Sequence, residues 1–68
     1  MSIARVTNVI AGSETSFEDA IHKGVARATK TLDNVKGAWV ENQKVVIEDG
    51  KVVEFRVNMR VTFVLNED

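Results

Sequence analysis

Two arginines spaced four residues apart, Arg56 and Arg60, are the side chains of this 68-residue chain best suited to hold a ligand. They sit in an alternating segment that puts both on one strand face. Guanidinium groups so placed hold a phosphate, a carboxylate or a neighbouring subunit's acids through charge-assisted hydrogen bonds. An inter-subunit ion pair with Glu41 or Glu54 is the competing reading. For catalysis, a nucleophile needs a base within reach. The chain has no cysteine, and its one histidine, His22, has Asp19 three residues before it, the spacing of a surface pair on a helix. Ser13 and Ser16 stand where turn and capping residues belong. There is no glycine-rich phosphate loop, and the chain reads as a non-enzyme.

Composition narrows the field further. Without cysteine there are no disulfides and no thiolate zinc site, and a single histidine excludes a histidine-cluster metal site within one chain. A core this small is marginal, and small scaffolds compensate with staples, metals or self-association. Assembly with copies of itself is therefore expected. Nine basic against ten acidic residues give a net charge of -1 and no basic excess for nucleic acid. No apolar run approaches the ~20 residues of a membrane span. Residues 1–5 lack the charged start and long apolar stretch of a signal peptide. Cytoplasmic residence is expected.

The elements that must position these residues follow from periodicity. Residues at about 2–10 are rich in β-branched types and predict a strand, with Ala11-Gly12-Ser13-Glu14 as a turn-like break. Phe17, Ala20, Ile21, Gly24, Val25, Ala28 and Leu32 recur at spacings of three and four, predicting a helix at about 16–33. Thr15 with Glu18 fits a capping box, and Gly24 on the apolar side allows close approach of a sheet. Strands at about 35–48 and about 51–65 follow, joined by a tight hairpin at Asp49-Gly50. In the last strand Val53, Phe55, Val57, Met59, Val61, Phe63 and Leu65 make one apolar face. In the strand before it, Ala38 and Val40 point one way and Gly37, Trp39, Glu41 and Gln43 the other. Val45-Val46-Ile47 breaks the alternation and predicts a bulge or a doubly buried stretch. Strands of this length reach about 45–50 Å, whereas the helix covers about 27 Å. The overhang must be covered by neighbouring subunits or by sheet curvature.

The order strand, helix, strand, hairpin, strand resembles the dodecins. The resemblance runs through Ala11-Gly12-Ser13, Ser16-Phe17, Val25-Ala26-Arg27-Ala28, Thr31-Leu32-Asp33-Asn34-Val35 and Val61-Thr62-Phe63-Val64-Leu65, nearly the whole chain. It implies an α+β subunit in which a three-stranded antiparallel sheet wraps one helix, with twelve copies closing into a hollow shell. It also implies storage of a flavin, FMN or riboflavin, stacked on a tryptophan after the helix and bonded by a last-strand glutamine. Those places fall on Gly37 and Arg56 here, both departures from the family pattern. Trp39 lies two residues beyond Gly37, on the same face about 7 Å further along. It either takes over the stack or packs at a subunit interface, where tryptophan is enriched. Some dodecin-like proteins without the flavin tryptophan bind calcium, which needs six to eight oxygen ligands. The acids available for that are Glu41, Glu48, Asp49, Glu54 and the terminal Glu67 and Asp68, shared between subunits.

Overall fold

The segment with the clearest alternation forms the centre of the fold. The computed structural model describes residues 3–65, in four elements: β1 (Ile3–Ser13), α1 (Phe17–Thr31), β2 (Val35–Glu48) and β3 (Lys51–Leu65). The strands form one antiparallel sheet in the order β1-β3-β2, so β3 is flanked on both sides. This is an α+β fold of order β-α-β-β, a three-stranded antiparallel sheet around one helix. Val57, Met59 and Val61 of β3 are fully buried against α1, whose Ala20 and Ala28 complete the core. Val9, Ala11, Phe17 and Ile21 pack around it, and Phe17 meets Phe55 edge to face at 5.2 Å.

Gly24 is what lets helix and sheet come this close. A Cβ there would collide with Met59 Cε and lie 3.0 Å from Ala11 Cβ. The hairpin turn also follows its sequence: Asp49 and Gly50 have φ of 52° and 75°, the two positive values of a type I′ turn.

The length mismatch expected between helix and hairpin is present. α1 has 15 residues and β3 also has 15, yet a helical residue advances less than half as far. The molecule is accordingly drawn out to 54 × 19 × 14 Å. At its ends Ile3, Ile47, Val52, Val53 and Leu65 remain exposed. Among the described residues no helix is long and apolar enough to cross a membrane.

Four expectations need correction. β1 does not stop at Ile10: Ala11, Gly12 and Ser13 pair with Val57, Arg56 and Phe55 of β3. Turn-prone types stay extended there because β3 supplies a partner for their backbone groups; Ser2 lies outside the described residues. The helix is capped one residue later than expected. Ser16 Oγ accepts from the Asp19 amide at 2.9 Å, while the Thr15 amide donates to Ser13 Oγ at 2.9 Å. α1 also ends at Thr31 rather than Asp33; Leu32 caps it in extended conformation, and its N–H donates to the Ala28 carbonyl. In β2 the irregularity expected near Val45-Ile47 occurs between Val46 and Ile47, but further register shifts fall at Val35/Gly37 and Val40/Asn42. The shift at Glu41 returns Gln43, opposite Val57, to the helix-facing side, against the expected grouping with Trp39.

Candidate functional site

Directly paired residues of an antiparallel sheet share a face, so the register defines the surface turned away from α1. Across the three strands it reads in rows: Val6, Thr62, Gly37; then Asn8, Arg60, Trp39; then Ile10, Asn58, Asn42; then Gly12, Arg56, Lys44. Gly37, Trp39, Arg56 and Arg60, the four candidate residues, are thus on one face within four consecutive rows.

Trp39 is 66% exposed, a large apolar ring left in solvent. The Arg60 guanidinium carbon lies 5.9 Å from its ring centroid, which is cation–π range. Next to it Gly37 leaves open space: a Cβ there would meet nothing within 4 Å. Lys36, Gly37, Ala38, Trp39 and Thr62 line a hollow of about 360 Å³, at the small end of ligand pockets.

The two arginines differ in how they are held. Arg56 Nε donates to Glu54 Oε1 at 2.8 Å, with both side chains partly exposed. The Glu54 carboxylate lies over Gly12, where any side chain would collide with it. That explains a glycine inside a strand: it makes room for the acid that orients Arg56. Arg60 Nη1 stands 3.8 Å from Glu41 Oε2, so the residue at the second β2 irregularity closes onto the next strand. Both ion pairs weighed from sequence as inter-subunit contacts are therefore satisfied within one chain.

Sequence reasoning overlooked a second hollow, of about 220 Å³, lined by Ile10, Asn42, Lys44, Arg56, Val57 and Asn58. Its signal was available, since Asn58 stands between the two arginines on the polar side of the alternation. The acids considered for calcium do not converge: among the described residues no three His, Asp or Glu side chains come together as a metal-binding group. Glu48 ends β2 opposite Lys51 and Asp49 occupies the turn, while Glu41 and Glu54 are each paired with an arginine. Glu67 and Asp68 lie outside the described residues.

A separate polar network belongs to the helix start. Ser13, 4% exposed, donates from Oγ to Asp19 Oδ2 at 2.5 Å, and Lys23 Nζ meets the same oxygen at 3.0 Å. The Ser13 hydrogen bond, then Lys23, holds the Asp19 carboxyl below its ordinary value of 3.8. These groups cap and anchor α1. They are not set as nucleophile and base, because the serine proton is directed to a carboxylate that a lysine already holds.

A sequence model of the Dodecin family matches residues 3–66. The chain is 30% identical over 63 residues to the calcium dodecin of Mycobacterium tuberculosis, spanning 93% of this chain and 89% of that protein. Among solved structures it is similar to the dodecin from Streptomyces davaonensis, 32% identical with TM-score 0.92, covering 97% of each chain. It is likewise similar to dodecin from Streptomyces coelicolor, 31% identical with TM-score 0.92, covering 98% of this chain and 96% of that one. The crystal structure of the M. tuberculosis calcium dodecin, described with a novel calcium-binding site, is 26% identical with TM-score 0.83, covering 97% and 94%.

Proposed function

The chain belongs to the dodecin family, and on that premise we propose that it is a non-enzymatic, cytoplasmic binding and storage protein. In this reading residues 1–68 are one domain, twelve copies assemble, and each holds a small planar ligand on the sheet face turned from α1. Gly37, Trp39, Arg56 and Arg60 are the residues on the ligand side. The observation that carries the reading is Trp39, exposed, backed by Arg60 and beside the open hollow over Gly37. An exposed aromatic held by a cation offers a flat ring a stacking surface, and Arg56 and Arg60 supply N–H donors for its polar edge.

FMN or riboflavin is the flavin form of this proposal. Fluorescence titration tests it: quenching of riboflavin at micromolar protein supports flavin, and unchanged fluorescence with assembled protein removes flavin from the list. A second reading, a calcium-binding assembly, is favoured by the similarity to a protein named calcium dodecin. Its ligands would come from several subunits, since Glu41 and Glu54 are ion-paired within the chain. Calcium would then raise the melting temperature by mass action and a chelator would lower it. Melting unchanged by either sinks the calcium reading.

A further inference from the structure

We infer that Glu54 sets the class of ligand this face accepts: by answering Arg56 with a fixed negative charge, it makes the face select an uncharged ligand over a phosphate-type anion. This rests on the ligand face proposed above and adds to it the charge its occupant carries. The acid has a built seat. Its carboxylate lies over Gly12, where a Cβ would stand 2.5 Å from Oε2 and 2.9 Å from Cδ, and its Oε1 accepts from Arg56 Nε at 2.8 Å. Any residue but glycine at position 12 would push the carboxylate off that seat.

Without Glu54 the same surface would be an anion site. Arg56 and Lys44 are directly opposite one another, and both line the hollow of about 220 Å³, whose other lining residues carry no acid. Like charges paired across a sheet disfavour one another, and Lys44 has no acid partner among the described residues. Two such cations around a small hollow would draw a phosphate, which a guanidinium grips with two parallel N–H groups. Glu54 opposes this twice. It cancels one of the two charges, and it occupies Nε, so the grip that pairs Nε with a terminal N–H is already taken. The terminal N–H groups remain donors to uncharged carbonyl or hydroxyl oxygens. An incoming phosphate would instead meet the fixed Glu54 charge beside Arg56. The neighbouring row repeats the arrangement, with Arg60 Nη1 3.8 Å from Glu41 Oε2, so each arginine of the face carries its own acid.

The experiment compares wild type, Glu54→Gln and the double variant Glu54→Gln, Arg56→Gln at constant ionic strength. Riboflavin is the uncharged probe and inorganic phosphate the anion. Glutamine keeps an oxygen for Arg56 Nε and removes only the charge. Riboflavin affinity, read by fluorescence quenching, should agree between wild type and Glu54→Gln within about twofold. Phosphate should displace riboflavin and raise the melting temperature at about three- to fivefold lower concentration in Glu54→Gln, the worth of one partly exposed charge pair. That gain should vanish in the double variant and in high salt. Gly12→Ala keeps the acid but takes its seat; it should show the same gain, and it carries the comparison where Glu54→Gln fails to fold. Riboflavin binding with equal phosphate response in wild type and these single variants overturns the role of Glu54 and leaves the ligand face standing. A gain that survives the loss of Arg56 assigns the anion to Lys44 alone, which also overturns it. Wild type that binds phosphate and not riboflavin overturns the ligand face and the inference together.

Discussion

The double variant Gly37→Trp, Arg56→Gln restores the two side-chain types that the family resemblance places at a flavin. Its cost to the fold should be small. A Cβ at position 37 meets nothing within 4 Å, and the ring has a hollow of about 360 Å³ to enter. Tryptophan is also a better strand residue than glycine. Losing Arg56 breaks an ion pair with Glu54 whose side chains are 46% and 31% exposed, worth about 0–1 kcal/mol. The gain is one stacking surface, worth about 0.5–1.5 kcal/mol beyond burial. That is roughly a two- to thirteenfold increase in flavin affinity per ring, and more where rings of two subunits enclose the ligand. Riboflavin fluorescence quenching measures the affinity, and a thermal melt of the same samples checks folding. A variant that melts like wild type, keeps its assembled mass and binds flavin no better would show that this sheet face is not where flavin binds.

The remaining predictions concern what holds that face in place. Ser13→Ala removes a buried hydroxyl that accepts from the Thr15 and Ser16 amides and donates to Asp19; chemical denaturation should show a loss of about 1–3 kcal/mol. Because the Asp19 pKa is depressed on folding, its contribution is present above the unfolded value near 3.8 and fades as pH falls through the lower folded value. The difference in melting temperature between wild type and Asp19→Asn should therefore shrink from about pH 6 to about pH 2.5; a constant difference would mean the carboxylate charge is not what stabilises. Met59→Ala, at a fully buried position contacting α1, should cost about 2–5 kcal/mol by urea titration. A cost under about 1 kcal/mol would mean that the core closes elsewhere.

Much of this fold was legible because its strongest patterns are local. The odd-numbered apolar positions of β3 identify the central strand, and Asp49-Gly50 identifies the turn through the positive φ that both residues must adopt. Ala11-Gly12-Ser13 was misread because its turn-prone composition says nothing of β3 alongside, nor of the Glu54 carboxylate that needs the space over Gly12. Thr15 and Ser16 are adjacent hydroxyl residues, and composition does not distinguish them as caps; in the structure Ser16 Oγ takes the Asp19 amide while Ser13 Oγ accepts from the amides of both. The shift at Glu41 falls in a polar run, where alternation carries no information about register. At the site the shared face of Arg56 and Arg60 followed from spacing. Their partners Glu54 and Glu41 depend on three strands aligning and could not.

The proposal that copies of this chain close into a ligand-holding shell is tested most directly by light scattering on a sizing column with an absorption spectrum of the same peak. A peak at about twelve times the 7.5 kDa chain mass, with absorbance above that of protein after loading with riboflavin, is the expected result. A colourless peak at 7.5 kDa under the same conditions would contradict both the assembly and the site it serves.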